Sequence, residues 1–218
     1  SSLRSACSLL ASLPAPLALA FGCGNGKTKM TDAFALLDEP RQPWLEVEAL
    51  KTKFLTRSAA THPDKFTDPA EKETAQTRFA DLNYAHEILR APKRRLQHLL
   101  TLERGHKPAE VHDILSATAD LFLQVGQLLR DVDPFLVQRE AETSPLLKAQ
   151  TYPEALDWLE KGNSLQQTLT QTLRHLATQL QSLNENWTPE TLEPLFHQYS
   201  YLQKWQEQLN DRAMRLGF

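Results

Sequence analysis

Cysteine, glycine and β-branched residues are scarce in this chain, and each scarcity excludes something. The 218 residues hold only two cysteines, Cys7 and Cys23, both near the start. Two thiols alone build neither a disulfide framework nor a four-ligand zinc site. Everything after Cys23 is therefore independent of an oxidising compartment. With seven glycines, and with β-branched residues sparse beside Leu, Ala, Gln and Glu, the composition favours helix over sheet. An excess of positive charge is also missing. A formal net charge of −3 leaves no whole-chain basic footprint, so nucleic acid is not an expected partner.

Long apolar runs are missing too. The longest, Leu9 to Phe21, is interrupted by Pro14 and Pro16 and is too short to span a bilayer, so no membrane association is expected. Catalytic signatures are equally absent. Seven histidines are scattered along the chain and none falls in His-Glu-x-x-His, because His86-Glu87 is followed by arginine at position 90. There is no Gly-x-Ser-x-Gly, and no cysteine after Cys23 to act as a nucleophile. The stretch Gly22-Cys23-Gly24-Asn25-Gly26-Lys27-Thr28 imitates a phosphate-binding loop. It has three residues between its outer glycines where the working motif needs four for the amides to curl round a phosphate. No enzymatic activity and no cofactor are expected.

What is present divides unevenly. Residues 1–29 carry three positive and no negative charges, and read as an extension ahead of Met30, or as an export or transit segment. Residues 30–104 carry twelve charges of each sign, and residues 105–218 nine positive against fifteen negative. That contrast predicts two modules, at 31–104 and 110–218. The expected location is cytoplasmic, or mitochondrial if residues 1–29 are a transit segment.

In the first module, Val47, Leu50, Phe54, Ser58 and Thr61 recur at steps of three and four, which predicts a helix from about Pro43. Lys51, Lys53 and Arg57 give it a basic outer side. Pro63 disfavours helical geometry at His62 and donates no backbone bond, so the helix must stop near Thr61. A second helix is predicted from Asp68-Pro69, with Asp68 as N-cap, Pro69 at the first position and Glu71 and Glu73 suiting the helix dipole. Its apolar face reads Ala75, Phe79, Leu82, Ala85 or Ile88, and Leu89, and it ends before Pro92. Between the two helices lies an exposed loop, His62-Pro63-Asp64-Lys65-Phe66-Thr67.

The loop, the basic helix before it and Phe79-x-x-Leu82-Asn83-x-Ala85 after it resemble a J-domain. The resemblance implies that His62, Pro63, Asp64 and Lys65, with Lys51, Lys53 and Arg57, bind a DnaK/HscA-type chaperone and switch its ATPase. The physical chemistry agrees. Pro63 stiffens the loop, which lowers the ordering cost of binding. Asp64 can accept a charge-assisted bond from a partner arginine, and the basic side chains can steer an acidic surface.

The first module is not followed by a glycine-rich linker or cysteine repeats. Instead Pro92 leads into Arg95-x-x-His98-Leu99-Leu100-x-Leu102, then Gly105 and a helical tail. That order is similar to HscB, the J-protein family of iron–sulfur cluster assembly, from about Phe34 to Phe218. The tail itself carries three stripes: Ile114, Ala117, Leu121, Val125, Leu128 and Val132; Leu165, Leu169, Leu173, Leu176, Leu180 and Leu183; and, after a Thr188 cap, Leu195, Tyr199, Leu202, Leu209 and Leu216. The expected fold is all-α, a J-domain hairpin followed by an antiparallel three-helix bundle.

Leu115, Phe122 and Leu129 form a heptad-spaced row beside the first stripe. The resemblance implies that the client, an iron–sulfur scaffold protein, docks on this helix at Phe122, Leu123, Gly126, Gln127 and Arg130. The alternative is that Phe122 and Leu123 only widen the core face. The chain departs from the family pattern at Gly126 and Arg130, where an apolar residue and an acid are expected, at Thr61, where an aromatic is usual, and at Arg57, where an apolar residue is common.

Overall fold

A computed structural model describes residues 31–109 and 116–217 of the chain. The expectations for residues 1–29, Cys7 and Cys23 included, and those for Ile114, Leu115, Phe218 and the side chain of Ala117 lie outside the described residues. Within them every regular element is a helix, and no helix is long and apolar enough to cross a membrane.

Asp32 opens the first helix, α1 (Ala33–Leu37), by accepting the Phe34 and Ala35 N–H groups on its carboxylate. Asp38 closes it in the left-handed conformation at φ 55°. The hairpin follows as α2 (Val47–Ala60) and α3 (Pro69–Arg90). Asp68 caps α3 through the Ala70 and Glu71 N–H groups, with Pro69 in the first turn. Leu50 and Ser58 of α2 and Ala75, Leu82, Ala85 and Leu89 of α3 are buried. Val47, placed on the inner face by periodicity, is exposed. As the first residue of α2 it has no preceding turn for its side chain to lie back against.

Pro92 starts α4 (Pro92–Arg104), which Gly105 ends at φ 75°. This helix packs on both α3 and the last helix of the chain. It buries Leu96, Leu99 and Leu100, and with them Arg95 and His98. The tail comprises α5 (Ser116–Ala141), a short α6 (Pro145–Gln150), α7 (Tyr152–Ser182) and α8 (Pro189–Gly217). Helices α5, α7 and α8 pack pairwise, burying the predicted stripes at Val125, Val132, Leu169, Leu176, Leu180, Leu202, Leu209 and Leu216. The Thr191 N–H donates to Thr188 Oγ1 at the start of α8. Pro134 lies inside α5, which runs on to Ala141 despite the backbone donor it lacks.

The hairpin and the bundle share one apolar core, running from Ala33, Leu50 and Leu89 through Leu96 and Leu99 to Leu169, Leu202 and Leu209. Polar clasps surround the junction. Arg95 donates from Nε to the Pro43 carbonyl at 2.9 Å and from a terminal nitrogen to the Leu89 carbonyl at 2.7 Å. Burial pulls its pKa down to about 10, with Tyr199 acting in the opposite sense, so it stays charged at neutral pH. Asn184, between α7 and α8, accepts the Trp44 N–H at 2.8 Å and donates to the Trp44 carbonyl at 3.0 Å.

His98 Nε2 accepts the Ala33 N–H at 3.1 Å, which requires the neutral ring with its proton on Nδ1. Burial lowers its pKa below the ordinary 6.5, and burial lowers that of His86 as well. The folded protein therefore refuses protons that the unfolded chain takes up below pH 6.5. Stability is complete above that value and is lost as the pH falls through it toward the folded pKa. The thermal midpoint should drop between pH 7 and pH 5, and His98→Gln, which keeps an acceptor without a titrating group, should flatten the slope. An unchanged slope in that variant would remove His98 as its source.

Candidate functional site

The loop between α2 and α3 is built by local backbone rules. Thr61 ends α2, its N–H and hydroxyl both donating to the Arg57 carbonyl at 3.1 and 3.0 Å. Pro63–Lys65 form a single 3-10 turn, closed by the Lys65 N–H on the His62 carbonyl and the Phe66 N–H on the Pro63 carbonyl. His62 leans edge-on against Phe79 of α3, ring centres 5.4 Å apart at 76°. Its Nδ1 accepts the Asp64 N–H at 3.3 Å, so in the neutral ring Nε2 carries the proton. The Asp64 carboxylate is 80% exposed, lies 3.5 Å from His62 Nδ1, and has no lysine or arginine paired with it among the described residues. It is held ready as an acceptor with no competing cation.

The basic residues before the loop divide into two groups. Lys53 donates to the Asp38 carbonyl at 3.0 Å and pairs with Glu39 at 2.8 Å. Arg57 donates to the Leu36 carbonyl at 2.8 Å and lies 3.4 Å from Asp38. Both therefore fasten α2 to the C-terminal end of α1, where cations suit the helix dipole. Lys51, 3.7 Å from Glu48, and Lys65 face solvent. Sequence reasoning overlooked Arg78, which with Thr61, Phe66 and Ala75 lines a hollow of about 380 Å³ beside the loop. Its signal was position alone, one residue before Phe79 on α3.

On the bundle, Phe122 is 41% exposed and rests on Trp205 of α8, ring centres 5.9 Å apart. Tyr201 stacks on the same indole at 6.0 Å. Leu123 is 62% exposed. Gly126 lies next to Phe122 along the helix, and a Cβ built on it meets nothing within 4 Å. Gln127 donates to both oxygens of Asp131 at 2.9 and 2.8 Å and accepts from Arg130 at 2.8 Å. Phe122 thus leans toward α8, whereas Leu123, Gln127 and Arg130 border a groove between α5 and α7.

The all-helical course of the chain has counterparts among solved structures. The chain is similar to human co-chaperone protein HscB, with a TM-score of 0.59, 15% identity, and 84% of this chain covered against 82% of that one. It is also similar to the chaperone HscB of Vibrio cholerae, with a TM-score of 0.60, 19% identity, and 85% of this chain covered against 99% of that one. No protein-family model matches. The protein has the all-α fold of the HscB type.

Proposed function

We propose that this protein is a J-domain co-chaperone: it stimulates the ATPase of a DnaK/HscA-type chaperone and delivers a client, an iron–sulfur scaffold protein. It does no covalent chemistry itself and needs no cofactor, nucleic acid or membrane. The observation that carries the reading is the exposed His62-Pro63-Asp64 turn, whose Asp64 carboxylate has no lysine or arginine partner among the described residues, in a fold of the HscB type. The turn engages the ATP-bound chaperone and the bundle holds the client, so that hydrolysis closes the chaperone on what the bundle has brought.

The test is steady-state ATP hydrolysis by DnaK-type chaperones, first with this protein and then with the scaffold added. Stimulation amplified by the scaffold supports the whole proposal. Stimulation indifferent to the scaffold keeps the co-chaperone and removes the client. No stimulation of any chaperone leaves a helical adaptor. The bare Gly126 and the cationic Arg130 on the client face favour the second reading, a J-domain protein with a different client.

A further inference from the structure

An open groove with a volume of about 920 Å³ lies between α5 and α7. Leu128 and Leu165, half-buried, form its floor, and Leu123 and Trp158 stand on its walls. It runs along α5 from Leu123 to Asp131, about 12 Å at the helical rise, which is two turns of a docked helix. Trp158 is held in place from both sides, its indole N–H 3.4 Å from Glu154 and the Lys161 ammonium over its ring at 4.3 Å.

The rim charges decide what fits. The cations keep their charge but each is directed to a neutral group, Arg130 to the Gln127 amide oxygen and Lys161 to the Trp158 face, against three rim carboxylates, Asp131, Asp157 and Glu160. Asp131 is occupied by the Gln127 amide nitrogen. Asp157 and Glu160 line the groove, both exposed, and no ion pair or hydrogen bond engages their side chains among the described residues. A docked segment therefore meets apolar surface flanked by two free carboxylates. The surrounding module adds to the bias, with nine positive and fifteen negative charges over residues 105–218. Such a field draws a cationic partner and repels an acidic one.

We infer that the α5–α7 groove docks a basic amphipathic helix of a partner protein, with leucine-type side chains on the floor and Lys or Arg opposite Asp157 and Glu160. The inference deepens the reading of the bundle as the client-holding half and rests on it, but its test needs no chaperone. Charge alone then separates the protein's two working surfaces. The solvent-facing Lys51 and Lys65 near the His-Pro-Asp turn meet an acidic chaperone surface, and the groove meets a basic client.

The experiment uses the full chain and a fluorescently labelled Leu/Lys amphipathic peptide of about fourteen residues, with a Leu/Glu peptide of identical spacing as its counterpart. Anisotropy gives the affinity, and chemical-shift changes at the Trp158 indole report the place. Binding of the Leu/Lys peptide alone, weakened about tenfold in the double variant Asp157→Lys, Glu160→Lys and in Leu123→Gln, which removes the apolar wall without changing the charge, is the expected result. All three are exposed residues without an ion pair, so these variants should fold. Equal binding of both peptides, binding that ignores the variants, or no binding would overturn the inference. Self-association that shifts Trp158 without peptide would also overturn it, by making the occupant a second copy of the chain. Loss of peptide binding with ATPase stimulation intact would sink the groove and spare the co-chaperone.

Discussion

His62→Gln is expected to reduce stimulation of the chaperone ATPase to background, while the fold survives unchanged. The imidazole contributes little to stability where it sits. It is exposed, and among the described residues it accepts the Asp64 N–H on Nδ1, lies 3.5 Å from the Asp64 carboxylate and touches the edge of Phe79. Losses of this kind at a surface site amount to about 0.5 kcal/mol or less. What the substitution removes is a rigid ring presented beside an exposed carboxylate, with Pro63 fixing the backbone between them. A glutamine amide reaches similar space but is held by neither Phe79 nor a fixed ring plane, so the turn loses its preorganised shape. The measurement pairs ATPase rates with a thermal melt. Full stimulation by the variant would mean that the turn is not the chaperone contact. Asp64→Asn offers an independent arm, since it keeps the geometry and removes only the charge that an arginine would seek.

Arg95→Ala is expected to produce a large loss of stability at the junction. Two effects oppose each other. Removing a buried cation relieves its desolvation, visible in a pKa pulled down to about 10. Against that, the Pro43 and Leu89 carbonyls lose their donor inside the junction, at about 1–3 kcal/mol each, and the missing side chain leaves a void among α3, α4 and α8. The second effect should win, for a net cost of about 3 kcal/mol in a molecule whose total stability is of order 10 kcal/mol. Arg95→Lys should fall between, because an ammonium cannot span two carbonyls as the guanidinium fork does. A urea titration reads both. A shift below about 0.5 kcal/mol for the alanine variant would show that the apolar core alone holds the junction.

The sequence was most informative where structure is local. Asp68-Pro69 at the start of α3, Pro63 after α2, Thr188 before α8 and the three leucine stripes all act within one or two turns, and the helices appear where these residues placed them. Helices α1 and α6 escaped notice because five and six residues are too few to show a period. The first leucine stripe stops at Val132, whereas α5 continues through Pro134 to Ala141.

The junction was unreadable for a different reason. Arg95 and His98 look like surface residues of a connector, yet their partners are Pro43 and Ala33, 52 and 65 residues away. Nothing in the pattern around either residue points there. The same holds at the candidate site. Lys53 and Arg57 read as a free basic face until the Leu36 and Asp38 carbonyls are in view, and α1, to which those belong, was itself unseen. The His-Pro-Asp turn was legible as a motif. The groove between α5 and α7 was not, because its two walls are separated by a whole helix in the chain.

If the protein is the co-chaperone proposed above, the two-sided grip of Asn184 on Trp44 has a consequence for how client and chaperone meet. Many modular proteins join two binding sites by a flexible tether, and the second encounter then depends on the volume the tether sweeps. Here a side-chain amide takes both backbone groups of Trp44, and the loop it fixes is also fixed by Arg95. In that role the effective concentration of client at the chaperone would be set by a single direction in space. A client presented at the wrong angle gains nothing from proximity, and one at the right angle loses no entropy in the search. Asn184 thus makes the protein behave less like a leash than like a bracket.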